Sequence, residues 1–279
     1  MIDVLLASFR PDPTMLAEQI DSIRRQKGVE VNLVVREDSD GEGPAANFSA
    51  LLSQSTAPYA AFSDQDDVWH EDKLLKLMEK MSELEARHGR DTPIMVFCDS
   101  RVTDVELHPL PGTFLSRQKV DVERGLSTPR LLMQNFVAGN LMLINAALRE
   151  KAGAVPSAAL MHDCWIAIVA AAFGRIGFVN APLLEYRQHG GNVLGAALAD
   201  SSHYGRRVRE GVPAFRARMA ANVAQARAFA DRFGRETPAC VRALARFGEL
   251  GWIGRRVAIF RHGLFKHGFL RNLAMVLFA

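Results

Sequence analysis

Short apolar runs alternate with segments of helical period along the first hundred residues, and this alternation constrains the fold more than any other feature. Residues 2–7 (IDVLLA), 29–35 (VEVNLVV), 59–62 (YAAF) and 93–99 (PIMVFCD) read as buried strands. Between them, Met15, Leu16, Gln19, Ile20 and Ile23 fall at helical spacing, as do Phe48, Leu51 and Leu52, and then Leu74, Leu77, Met78, Met81 and Leu84. Strand alternating with helix predicts an α/β fold whose mostly parallel sheet is covered on both faces. Ligands of such sheets bind outside the carboxyl ends of the strands. Asp38, Asp64, Asp66, Asp67 and Asp99 stand at those ends and are expected to share one crevice.

The densest of these ends is FSDQDDVW, residues 62–69. Burying like charges is costly unless something positive compensates them. Hard carboxylate oxygens two residues apart, at Asp64 and Asp66, suit Mg²⁺ or Mn²⁺, which commonly bridges carboxylates to substrate phosphates. A solvated turn has the same pattern, and Asp67 also fits the N-cap of the following helix.

The second half is less regular. Residues 136–145 (FVAGNLMLIN) predict a strand, and 162–174 (HDCWIAIVAAAFG) a helix opening on His162 and Asp163. RIGFVN and PLLEYRQHGGNVLG follow as strand, turn, strand and a glycine-rich loop at Gly190, Gly191 and Gly195. Residues 198–214 read as a linker, and 215–279 as a basic, amphipathic helical region. Glu249 is the last acid, followed by Arg255, Arg256, Arg261, Lys266 and Arg271. A helical segment of that kind fits either an anionic membrane surface or the flank of the catalytic domain.

Composition narrows the function. A formal net charge of +3, with no recognisable binding motif, argues against nucleic acid as a partner. Three cysteines, Cys98, Cys164 and Cys240, lie far apart and suit a reducing compartment. The chain opens directly into an apolar strand, so no signal peptide is expected. No run of 18 apolar residues predicts a membrane span.

Four stretches, in order, resemble the inverting family 2 glycosyltransferases, especially their rhamnosyltransferase-like branch. They are IDVLLASFRP with EQIDSIRRQ, GPAANFSALL, FSDQDDVWHEDKL, and HDCWIAIVAAAFGRIGFVNAPLLEYRQHGGNVLGA. The resemblance covers residues 1–197. It implies a GT-A fold, with a nucleotide and metal half at 1–99 and an acceptor half at 100–197. It implies a nucleotide-diphosphate sugar as donor, carrying rhamnose or a similar sugar. The acceptor would be a hydroxyl of a saccharide or polyprenyl-linked saccharide, in cell-surface polysaccharide synthesis. The enzyme would be cytoplasmic, or peripheral on the inner face of a membrane. By the same resemblance Asp66 and His189 are metal ligands for Mg²⁺ or Mn²⁺, and Asp163 is the catalytic base. Ser8, Glu37, Asp38, Asp64, Trp69, Trp165 and Arg187 are then expected to contact the nucleotide or sugar. One departure is visible: only REDSDGEGP separates Val35 from Ala45, where the family has a further helix and strand, so an abbreviated nucleoside pocket is expected. Two other functions fit the acids, a nucleotidyltransferase and a non-catalytic nucleotide- or carbohydrate-binding module. The first would need a glycine-rich phosphate loop after the first strand, and ASFRPDPT has no glycine.

Overall fold

The computed structural model describes residues 1–189 and 201–279, with the backbone alone described at 201–210. Strand β1 (Ile2–Ser8) leads through α1 (Pro13–Arg24) to β2 (Val31–Glu37), and α2 (Pro44–Gln54) leads to β3 (Tyr59–Ser63). Val4, Leu5 and Leu6 are wholly buried, as a strand covered on both faces requires. Helix α1 starts where the Asp12 carboxylate accepts from the N–H groups of Thr14 and Met15, with Pro13 at the first helical position. The parallel register sets Ser8 beside Glu37 and Leu6 beside Ser63, so three strand ends meet at one edge.

Beyond β3 come β4 (Val68–Trp69), α3 (Lys73–His88), β5 (Ile94–Thr103) and β6 (Pro109–Thr113). Three short helices follow, α4 (Phe114–Gln118), α5 (Val122–Gly125) and α6 (Thr128–Met133). Then β7 (Met142–Asn145), α7 (Ala146–Ala152), α8 (His162–Phe173) and β8 (Arg175–Arg187) complete the α/β part. The sheet order is β2-β1-β3-β7-β5-β8-β4, with β6 on β5.

This sheet is mixed. The β1–β2, β1–β3 and β5–β8 pairs are parallel, whereas β7 runs antiparallel to both β3 and β5. The reason lies in the connection: α6 and residues 133–139 stay at the carboxyl edge and feed β7 from that end. The predicted strand at 136–145 is accordingly short, because Gly139–Leu141 forms a 3₁₀ turn before Met142. Conversely, the strand-turn-strand expected after Gly174 is one continuous strand. Register shifts opposite Asp99 absorb the bend.

The C-terminal helices are α9 (Ser201–Phe233), α10 (Ala239–Ala245), α11 (Trp252–His262) and α12 (Phe269–Phe278). Most of the stretch read as a linker is therefore helical. Its glycine and proline produce a kink instead: Gly211 takes φ 68° and ψ −170°, and Pro213 restarts the helix just beyond. Helix α9 docks by stacking Phe229 and Phe233 on Trp165 and Phe173 of α8. The glycine-rich loop at 190–195 lies outside the described residues.

Candidate active site

The acid turn begins where β3 leaves the sheet. Gln65 fixes the turn against β1: its Oε1 accepts from Phe9 N at 2.7 Å, and its Nε2 donates to Phe9 O at 3.3 Å. Asp67 turns inward and is wholly buried, accepting from Asn140 Nδ2 at 2.5 Å and from Arg187 N at 3.3 Å. It is not a helix cap; Asp72 occupies that position ahead of α3.

The compensating positive charge is Lys73. This lysine is wholly buried beneath the acids, donates to Asn140 O at 2.6 Å and lies 3.3 Å from the Trp69 ring centroid. Burial brings its amine down to about 7, against the attraction of Asp67 and Asp64. Burial and the charges of Asp64 and Asp66 hold Asp67 well above the usual carboxylate range. Asp64 is pushed up to about 7, first by burial and then by Asp66 and Asp163. Desolvation thus outweighs mutual attraction, and the cluster holds fewer charges than its formula suggests.

A second group forms at the start of α8. His162 is buried with its ring 4.0 Å from that of Phe48, and neither ring nitrogen has a hydrogen-bond partner. Burial alone takes its imidazole down to about 3, so the ring is neutral. The next residue, Asp163, is 7% exposed, and its Oδ1 accepts from Cys164 N at 2.5 Å. Burial pushes this carboxyl up to about 6, against the hydrogen bonds from Cys164, Gly139 and Asn135.

Both groups open on one cavity of about 990 Å³, whose lining includes Ser8, Asp38, Asp64, Asp66, His162 and Asp163. The expected sharing of one crevice therefore holds for these residues. Asp38 stands there with its carboxylate already engaged: Oδ1 accepts from Gly41 and Glu42 N, and Oδ2 from Gly43 N. Burial would raise Asp38, but these bonds and the nearby Arg36 hold it below the ordinary range. The shortened segment thus folds back on its own acid. Oδ2 keeps a lone pair for a ligand.

Of the expected residues, Glu37, Asp67, Asp99, Trp69, Trp165, Arg187 and His189 do not line this cavity. Glu37 is exposed at the end of β2. Asp99 accepts from Ser100 N and Leu115 N, which turns it toward backbone. Trp69 is buried on Lys73, and Trp165 is a core residue whose Nε1 donates to Ala152 O. Aromatic residues suit a sugar platform and a core equally, and here packing claims both. Arg187 is committed as a brace. Its guanidinium donates to Asp66 O, Val105 O and Glu18 Oε2, at 3.0, 2.8 and 2.5 Å.

His189 Nε2 lies 2.6 Å from Asp66 Oδ2. The two groups are hydrogen-bonded to each other; adjacent ligands of an octahedral Mg²⁺ sit about 3 Å apart when each bond is about 2.1 Å, so a cation held by this pair would replace that bond and part them by a few tenths of an ångström. Among the described residues no group of three or more His, Cys, Asp or Glu forms a metal cage. One or two protein donors plus substrate phosphates is the usual Mg²⁺ arrangement, and the pair fits it.

Lys73, Asn140, Gln65 and Asn47 were not anticipated from sequence. A signal existed for Lys73, which lies four residues before Leu77 and so on the apolar stripe of α3. Asn47 locks α2 to the strand ends, donating to Ser8 O and Arg36 O and accepting from Arg36 Nη1.

Residues 26–89 match the family model Glycosyl transferase family 2. No curated protein sequence matches the chain. Among solved structures, S. aureus TarS 1-349 in complex with UDP aligns at TM-score 0.52 and 13% identity, covering 94% of this chain and 91% of that one. The same TarS fragment with UDP-GlcNAc gives 0.51 and 11%, covering 99% and 89%. Mannosyltransferase PcManGT from Pyrobaculum calidifontis, in complex with GDP-Man and Mn²⁺, gives 0.51 and 15%, covering 99% and 78%. The fold is the GT-A glycosyltransferase fold, followed by a helical C-terminal part.

Proposed function

We propose that this chain is a metal-dependent, inverting glycosyltransferase acting on a nucleotide-diphosphate sugar. The observation that carries the reading is the convergence of Asp64, Asp66 and Asp163 on one cavity in a GT-A fold. Asp163 is the base. Its carboxylate opens α8, where the helix dipole favours the ionised form, while burial keeps its pKa near neutrality. A base tuned to about 6 is largely ionised at neutral pH yet basic enough to take a hydroxyl proton as the oxygen attacks the anomeric carbon. One carboxylate acting on the acceptor gives a single displacement with inversion, through an oxocarbenium-like transition state.

Asp66 and His189 would hold Mg²⁺ or Mn²⁺, and a bound cation there supplies charge neutralisation for the departing diphosphate. Asp64 contacts the ribose or that cation. Arg187 acts at one remove, fixing the Asp66 carbonyl and so the acid turn. Ser8 and Asp38 border the nucleoside end.

The donor sugar, rhamnose or a similar hexose, follows the sequence motifs. The acceptor is a hydroxyl of a saccharide or lipid-linked saccharide. Peripheral membrane association is supported by exposed Trp252, Ile253, Val257 and Phe260 on α11, and by Phe269, Leu270 and Leu277 on α12, beside basic residues. No helix among the described residues is long and apolar enough to cross a membrane. The test is Asp163→Asn: donor and Mn²⁺ affinity should persist, while transfer falls by about 10²–10⁴. Transfer within about twofold of the parent would reduce Asp163 to a helix-start residue and remove it as the base.

A further inference from the structure

Lys73 is the first residue of α3, and its side chain is wholly buried behind the acid turn. A charge kept from water is normally paired with an opposite one. Here its polar contacts among the described residues are neutral: Nζ donates to Asn140 O at 2.6 Å and lies 3.3 Å from the Trp69 ring centroid. The charge is therefore felt beyond its contacts. Burial raises Asp64, Asp67 and the Cys98 thiol, and Lys73 pulls each of them the other way. Packing alone does not call for a lysine, since an apolar side chain of similar length would fill the same space without the cost of desolvating an amine.

A positive charge that draws protons off these groups also opposes a cation arriving beside them, and a divalent ion feels it twice as strongly as a proton does. Little water or salt intervenes to screen it. The candidate cation site is thin. Asp66 and His189 supply one carboxylate and one imidazole, and among the described residues no third His, Cys, Asp or Glu joins them. A cation held by one or two protein donors completes its shell from waters and substrate phosphates. A free divalent ion brings only repulsion toward Lys73, whereas an ion already bound to a diphosphate arrives with its charge cancelled. The same lysine therefore disfavours the first and admits the second.

We infer that Lys73 sets the order in which the donor site fills: its buried charge keeps free divalent cation off Asp66 and His189, so that cation and diphosphate enter as one complex. This rests on the proposed donor site. Lys73 is absent from the cavity lining, so it is a positioning residue that acts only through the field it lays across the acid turn.

Calorimetry on the full chain tests it, at about pH 6.5, below the value of about 7 to which burial brings the amine. Mn²⁺ alone, UDP or GDP alone, and each nucleotide with Mn²⁺ are titrated into the parent and into Lys73→Met. In the parent, Mn²⁺ alone should bind at least about tenfold more weakly than it does with nucleotide present. In Lys73→Met, Mn²⁺ alone should bind about tenfold more tightly than in the parent, and the factor by which nucleotide and Mn²⁺ tighten each other should shrink. A merely structural lysine predicts the opposite sign, since losing the bond to Asn140 O would loosen the acid turn and weaken Mn²⁺. Lys73→Gln, neutral but with a donor left for Asn140 O, gives the same reading if Lys73→Met melts early. A parent that binds Mn²⁺ alone as tightly as with nucleotide, or variants that bind it no more tightly than the parent, would overturn the inference, while Mn²⁺-dependent nucleotide binding leaves the donor reading in place. Absence of all nucleotide binding, with or without Mn²⁺, would instead remove the donor reading, and the order of filling would fall with it.

Discussion

Replacing Asp163 by Asn should stabilise the protein at neutral pH while silencing it. The carboxyl titrates at about 6 in the fold against 3.8 as its ordinary value. Between those values the native state binds more protons than the unfolded state, so stability falls as pH rises through the window. The difference of 2.2 units corresponds to about 3 kcal/mol at 1.36 kcal/mol per unit, fully expressed above pH 6 and absent below about 4. Asparagine carries no such penalty. It keeps an oxygen for Cys164 N, but its amide nitrogen faces the N–H donors at Gly139 and Asn135. That mismatch returns about 1–2 kcal/mol, so a net gain of about 1–2 kcal/mol remains. Asp64 adds to the gain, because Asp163 is one of the charges that raises it. Thermal unfolding of parent and variant between pH 4 and 8 reads this directly, at roughly 2–4 °C per kcal/mol. Near pH 4 only the mismatch remains and the variant should be less stable by about 1–2 kcal/mol; above pH 6 it should be more stable, so the two curves cross between those values. Parallel curves across the whole range would show that Asp163 carries no buried charge, and the argument for a tuned base would fall with it.

Other outcomes follow from the same geometry. Asp66→Ala should abolish Mn²⁺-dependent binding of a nucleoside diphosphate while leaving metal-free stability equal or higher, since one of three crowded acids is gone; unaltered Mn²⁺-dependent binding in calorimetry would dismiss the ligand role. Gly174→Ala should cost about 3 kcal/mol or more in denaturant unfolding, because a Cβ there would collide with the Pro93 backbone carbonyl; a cost under about 1 kcal/mol would mean the turn yields. Sedimentation with anionic vesicles should carry the chain down at low salt and release it at high salt, and Phe269→Ser with Trp252→Ser should weaken capture. Equal recovery of the double variant would assign those helices to packing alone.

Strand ends and D-x-D spacing were legible because both are local: β1, β2 and β3 show as apolar runs, and Asp64 and Asp66 as neighbours in sequence. What compensates the acids was less so: Asn140 meets Asp67 from 73 residues away in sequence, and Lys73, though close to Asp67 along the chain, shows its role only through its complete burial and its bond to Asn140 O. The two readings of the tryptophans, core or sugar-pocket wall, could not be separated in sequence for a related reason. An indole's role depends on what covers it, and Phe229 and Phe233, which cover Trp165, belong to a distant helix. Arg187 could be recognised as important from its position, but only three remote acceptors reveal it as a brace.

Strand β8 is the ruler of this molecule. It leaves directly from α8, which holds Asp163 and His162, runs beside β5, and ends against β4 with Arg187 on the acid turn and His189 at Asp66. Side chains alternate faces along a strand, so one residue gained or lost within it would turn Arg187 away from Glu18 and the Asp66 carbonyl. The separation of Asp163 from the acid turn is therefore written in the length of a single strand and tolerates no insertion there. The wall made by α9 and α12 is under no such constraint. Residues of that wall such as Ala217 and Asn222 stand on α9 and not on β8, so they can be exchanged without a change in the register that holds Arg187 on the acid turn.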